Sequence, residues 1–184
     1  MGNIEVIAGP MFSGKTTELL RRLGRYILAG CSYTAIKPAI DTRTQATTIK
    51  TIRGEVDLNP IKVASLHPVK PTTKVVLLDE GQFFGSEIVQ FCQTQRDQGR
   101  IVIISGLDMD YRRQPFGSMD KLMAIADSVT KLTAICSCGK EAIFTQKLNP
   151  DSQSVDIGDK DKYIPVCTDC YHKYFIGGVK NASD

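Results

Sequence analysis

Lys15 and Thr16 close an eight-residue stretch, GPMFSGKT (9–16), whose residue types and spacing are those of a phosphate-binding loop. Glycines at its first and sixth positions, Gly9 and Gly14, let the backbone curl into a nest of N–H groups facing phosphate oxygens. The Lys15 ammonium suits the outer phosphates, and the Thr16 hydroxyl is placed to ligate Mg²⁺. A second motif, DEGQFF (79–84), ends an apolar run. An acid at the tip of a neighbouring strand completes a Mg²⁺ shell, a role that suits Asp79. Side chains alternate along a strand, so Glu80 points away from Asp79 and could take the proton from an attacking hydroxyl during phosphoryl transfer. The competing reading makes Glu80 the activator of water in an ATPase. Phe83 reads equally as core or as a ligand contact.

The loop requires a strand before it and a helix after it. IEVIA (4–8) reads as a buried strand, and TELLRRLGRYIL (17–28) as a helix with Leu19, Leu20, Leu23 and Ile27 on its apolar face. Further strands are expected over 32–38, 74–80 and 100–107, and helices over 85–98 and 119–129. The last of these carries Leu122, Ile125, Ala126 and Val129. Residues 39–73 are polar and Thr-rich, with Pro60, Pro68 and Pro71, and offer short strands and loops at best. Strands alternating with helices imply an α/β fold of the P-loop NTPase type, a parallel sheet with helices on both faces. Near residue 133 the pattern gives way to cysteine pairs and a polar loop. We therefore expect a nucleotide-binding domain over 1–132 and a small metal-stapled domain over 133–184.

That second segment carries Cys136-Ser-Cys138 and Cys167-Thr-Asp-Cys170. In a reducing compartment such a cluster suggests metal rather than disulfides, and four thiolates bind Zn²⁺ tetrahedrally. Cys31 and Cys92 stand alone. At 184 residues and 42% hydrophobic, the chain can bury one good core plus an appendage. A net charge of +3, with basic residues scattered, gives no argument for a nucleic-acid or membrane partner. The sequence shows neither a long apolar run nor a cleavage pattern, so a cytoplasmic location is expected.

Taken together, GPMFSGKTTELL, the DTR at 41–43, DEGQFF, LDMDYRRQPFG (107–117), KLTAIC (131–136) and DKYIPVC (161–167) resemble the type II thymidine kinases, the zinc-containing class. The resemblance covers nearly the whole chain in order. It implies transfer of the ATP γ-phosphate to the 5′-OH of thymidine, and of deoxyuridine, giving dTMP for DNA synthesis. In that family the loop formed here by Gly9, Pro10, Met11, Phe12, Ser13, Gly14, Lys15 and Thr16 holds the triphosphate. Asp41, Thr42 and Arg43 approach the phosphates, as do Asp79, Glu80, Gly81 and Gln82. Glu80 is the family's catalytic base, while Asp79 and Thr16 belong to the Mg²⁺ shell.

The resemblance further places Met11, Phe83, Leu107, Tyr111 and Thr145 around thymine. Many relatives carry Phe where this chain has Tyr111, whose hydroxyl needs a partner if buried. The stretch 149–162 corresponds to the family's lasso, in which Ser154, Val155, Asp156, Ile157 and Gly158 bind base and sugar largely through main-chain groups, with Tyr163 at the sugar. Cys136, Cys138, Cys167 and Cys170 would hold a structural Zn²⁺ at the two feet of that loop, with His172 the runner-up ligand because some relatives use His in the last pair. The resemblance also implies feedback inhibition by dTTP and assembly as a homotetramer. Two other enzymes compete with this reading. One is a P-loop ATPase with a zinc ribbon; the other is a nucleoside monophosphate kinase using the adjacent Arg112 and Arg113 on an acceptor phosphate.

Overall fold

β1 (Asn3–Ala8) is the first strand of the chain and lies one strand in from an edge of its sheet. The computed structural model describes residues 1–41, 48–51, 54–148 and 162–175. After β1 come α1 (Lys15–Leu28), β2 (Tyr33–Pro38), β3 (Thr48–Thr51), β4 (Gly54–Asp57), β5 (Ile61–Val63) and β6 (Val75–Leu78). A 3₁₀ turn (Gly81–Phe83) leads into α2 (Glu87–Asp97), β7 (Ile101–Gly106), α3 (Met119–Ile125) and β8 (Ser128–Lys131). Six of these strands form one parallel sheet in the order β5-β2-β6-β7-β1-β8. β1 therefore lies between β7 and β8, while its own helix carries the chain over to β2. In such open sheets the crevice at the carboxyl ends of the strands, near a change in strand order, is where ligands bind.

Strand alternation sorts the core into two layers. Ile4, Val6, Ala8, Ile36, Val76, Leu78, Val102 and Ile104 face α2 and α3, against Ile88, Cys92, Met119 and Leu122. Ile7, Ala35, Leu77 and Ile103 face the other way, against Leu19, Leu20 and Leu23 of α1. Helices thus cover both faces, as a parallel sheet requires. Ile27, expected on the apolar face of α1, is 43% exposed near the end of its helix. Among the polar residues between α1 and the sheet, Arg22 donates to Glu5 (2.8 Å), Glu18 (2.8 Å) and Thr130 (2.7 Å). The Arg21 guanidinium, with Arg22 behind it, draws the Glu18 carboxyl down to about 2 against the opposing effect of burial.

The helix expected over 119–129 stops at Ile125. Ala126 turns extended (ψ 142°), and the Asp127 side chain accepts the Ile4 N–H at 2.7 Å while its own N–H donates to Ile4 O at 2.9 Å. Those two bonds stitch the chain to β1, and the β-branched pair that follows, Val129 and Thr130, continues as edge strand β8. Val129 is consequently 45% exposed rather than part of a helix face.

Beyond β8 the chain forms two antiparallel hairpin pairings, β9 (Ala134–Ile135) with β10 (Glu141–Ala142), and β11 (Phe144–Lys147) with β12 (Tyr163–Val166). α4 (Thr168–Phe175) closes this lobe. Its small core holds Ala134, Cys136, Ala142, Val166, Cys167 and Tyr171. Among the described residues no helix is long and apolar enough to cross a membrane.

Candidate active site

The phosphate-loop residues leave β1 at the carboxyl end of the sheet. Gly9 sits at φ 146°, and a Cβ there would lie 2.4 Å from the Leu132 carbonyl oxygen, so no side chain fits. Ser13 Oγ and Lys15 Nζ both donate to Pro10 O, at 2.8 and 2.6 Å, and brace the loop from inside. Gly14 (φ 82°) hands over to α1, whose first-turn N–H groups and positive dipole end face the same space.

Asp79 lies buried at the tip of β6, two strands away from the loop. The Ser105 hydroxyl, on the intervening β7, donates to its Oδ1, which also accepts the Glu80 N–H at 3.1 Å. Its other oxygen faces Lys37 of β2, with Nζ 3.3 Å away; the same ammonium lies 3.7 Å from Asp41 Oδ2. All three charged groups are buried. One cation therefore sits between two carboxylates where the strands β2 and β6 end. Sequence reasoning missed Lys37, because one lysine in a strand belongs to no motif; its place between Ile36 and Pro38 in an otherwise apolar run was the available sign.

Glu80 adopts the left-handed backbone conformation (φ 57°, ψ 48°), which a residue with a Cβ enters at a cost. Its Oε2 accepts from Gln82 Nε2 at 2.6 Å, and Gln82 Oε1 accepts the Leu107 N–H at 3.0 Å. A pocket of about 200 Å³ is lined by Met11, Phe12, Lys15, Thr16, Glu80 and Leu107, with Gly14 and Thr17. A lysine, a threonine hydroxyl, a carboxylate and two apolar side chains thus share one space, which suits transfer of a phosphoryl group to a hydroxyl beside an apolar ring. A larger cavity, about 520 Å³ between α2 and residues 66–72, is lined by none of the residues of the two motifs.

Of the residues expected around thymine, Met11 and Leu107 line that pocket, and Thr145 of the second lobe touches the Met11 backbone without lining it. Thr145 is buried on β11, where its Oγ1 accepts the Met11 N–H at 3.0 Å. Phe83 packs edge-on against Phe116 (5.6 Å between centroids). The Tyr111 hydroxyl accepts from Arg112 Nε at 2.9 Å, which supplies the partner its extra oxygen needs. Lys147 Nζ stands 5.4 Å from the Tyr111 ring centroid, and Tyr163, paired with Lys147 across the hairpin, is buried. The Arg113 guanidinium lies 4.3 Å from the Tyr171 ring centroid, joining the 107–117 loop to the second lobe. Thr42, Arg43, Ser154, Val155, Asp156, Ile157 and Gly158 lie outside the described residues.

The sulfur-bearing ligand atoms of Cys136, Cys138, Cys167 and Cys170 all lie within 4.8 Å of one another. The backbone N–H of Cys138 aimed at Cys136 draws its thiol well below the usual cysteine range, while hydrogen bonding with Cys138 and its neighbours pushes Cys170 up. Such a cluster could hold a divalent cation such as zinc, and four thiolates would leave no position open for water. His172 is exposed on α4 and belongs to no such group among the described residues.

Comparison with known proteins agrees with this chemistry. The thymidine kinase family model matches residues 2–171. A thymidine kinase of Porphyromonas gingivalis is 44% identical over 175 residues, covering 94% of this chain and 86% of its own. One from Mycoplasma genitalium is also 44% identical over 175 residues, covering 90% and 81%. The cytosolic thymidine kinase of Homo sapiens is 41% identical over 180 residues, covering 96% and 76%.

Proposed function

This chain belongs to the thymidine kinase family and is a kinase that phosphorylates thymidine, and on that premise we propose how its residues share the transfer of the ATP γ-phosphate to the 5′-OH. The observation that carries the reading is the pocket where Lys15, Thr16 and Glu80 face Met11 and Leu107. The loop from Gly9 to Thr16 cradles the triphosphate, and the segment of Asp41, Thr42 and Arg43 approaches the phosphates and metal. Glu80 takes the 5′-OH proton as the oxygen attacks phosphorus, and Lys15 meets the charge that builds on the transferred oxygens. Thr16 and Asp79 would hold Mg²⁺, which when bound neutralises phosphate charge; the short donor set of a hydroxyl and a buried carboxylate suits that hard ion.

Met11 and Leu107, with Phe83, Tyr111 and Tyr163, enclose the nucleoside under the segment 149–162, whose residues 154–158 read the base through main-chain groups. Such readout needs no methyl group, so deoxyuridine reacts too, whereas purines are too large. The four cysteines would hold Zn²⁺ in a purely structural role, in a small domain spanning 133–184. The working enzyme is a cytoplasmic homotetramer, and dTTP inhibits it by occupying the nucleoside pocket and the phosphate side at once. Inhibition then weakens as thymidine and ATP rise; inhibition indifferent to thymidine would demand a separate regulatory site. The deciding assay follows ADP release with and without a panel of nucleosides. Release that depends on thymidine or deoxyuridine is expected, and equal release without nucleoside would leave a P-loop ATPase instead.

A further inference from the structure

Gln82 is 3% exposed, and both ends of its amide are committed. The backbone N–H of Leu107 can only donate, so the oxygen of the amide must face it, at 3.0 Å; the nitrogen then faces Glu80 Oε2, at 2.6 Å. The two contacts fix one another's orientation, with no freedom for the amide to turn over. The surroundings leave room for the same residue. A Cβ on Gly106 would fall 2.6 Å from Met119 Sδ and 2.8 Å from Gln82 Oε1, so glycine there spares the amide oxygen; one on Gly117 (φ 59°) would fall 2.2 Å from the Gln82 carbonyl oxygen, so glycine there spares its backbone.

We propose that Gln82 is a positioning residue for phosphoryl transfer, holding one oxygen of the Glu80 carboxylate and tying it to the backbone of Leu107 in the pocket wall. This rests on the assignment of Glu80 as the base. Glu80 stands on a left-handed backbone at the start of a 3₁₀ turn. With Oε2 held by Gln82, the other oxygen keeps a set direction in the pocket it shares with Lys15, Thr16 and Met11. The same clamp makes the position of the base depend on Leu107, so a nucleoside that shifts the wall shifts the proton acceptor with it. Gln82 acts through Glu80 and needs no contact with the nucleotide to do so.

The test is a kinetic cycle on the full chain, with kcat counted per nucleotide-binding protein so that misfolded material drops out. Gln82→Met keeps the length and loses both hydrogen bonds. Displacement of a reacting group by about 1 Å costs up to roughly 10²-fold, so kcat should fall roughly 10- to 100-fold while the KM values for ATP and thymidine stay within about twofold. Gln82→Glu still accepts the Leu107 N–H but cannot donate to Glu80, and should lose at least as much. In a Glu80→Gln background, Gln82→Met should cost less than about threefold, because the group it positions is gone. Multiplicative losses in the double variant, a raised KM for ATP at normal kcat, or recovery in Gln82→Glu would each overturn the proposal. Failure of the underlying assignment shows separately, as near-normal turnover in Glu80→Gln alone.

Discussion

Replacing Lys37 with Met removes the ammonium that lies between Asp41 and Asp79, and its cost follows from the geometry. At 3.3 and 3.7 Å, each attraction is worth about 4–5 kcal/mol at an effective dielectric near 20. Most of that is offset by taking the charges out of water. Methionine fills the space but takes the Lys37 charge away from two buried carboxylates, and breaking a buried pair in this way costs about 3–5 kcal/mol. For a domain of this size, about 2–4 °C of Tm is lost per kcal/mol, so the drop should be roughly 6–20 °C. The assay is thermal unfolding with and without millimolar Mg²⁺. A divalent cation between Asp41 and Asp79 can do what the ammonium did, so Mg²⁺ should restore more Tm to Lys37→Met than it adds to the parent. A drop below about 2 °C without Mg²⁺ would show that the three buried charges are not coupled as their distances imply.

Two further outcomes follow from the geometry elsewhere. Cys170→Ser should release bound metal, lower Tm, and raise the KM for thymidine more than that for ATP, because the cluster holds both feet of the segment between Cys138 and Cys167; metal analysis of the purified chain checks this, and full zinc retention would refute the ligand set. Glu18, held at about 2 in the fold against an ordinary 4.5, contributes stability that is present above pH 4.5 and lost as pH falls toward 2. Glu18→Gln should therefore narrow its deficit to the parent across that window, modestly because Arg21 is solvent-screened, and denaturant midpoints from pH 7 to pH 3 measure it.

The legible parts of the sequence were those in which one local rule acts alone. The loop 9–16, the strand at 4–8 and the apolar face at Leu19, Leu20 and Leu23 need only spacing, and the four cysteines need only their pairing. The helix expected through Val129 failed because hydrophobic spacing cannot see Asp127 pinned to Ile4, more than a hundred residues away in the chain. Lys37 was invisible for a related reason: its meaning comes from Asp41 and Asp79 meeting it across two strands. Gln82 was noticed as part of a motif, yet its amide serves Glu80 and Leu107, partners that only β6 and β7 lying side by side could reveal. Thr145 was expected beside a ligand, and the structure shows its hydroxyl holding the backbone of Met11.

The carbonyl of Leu132 stands against Gly9 with no room for a methyl group, and Thr145 holds the next bend of the same loop. Composition changes abruptly at this junction, and a designer of chimaeras would be tempted to cut there. Yet the loop 9–16 leans on the first residues beyond the sheet and is fastened by a hydroxyl from the small lobe. Such a joint resists modular exchange: a lobe grafted from a distant relative must bring a matching backbone path and a hydroxyl at that one position. The loop 9–16 and the lobe that carries the cysteines are therefore expected to have diverged as one unit, each change on one side constrained by the other.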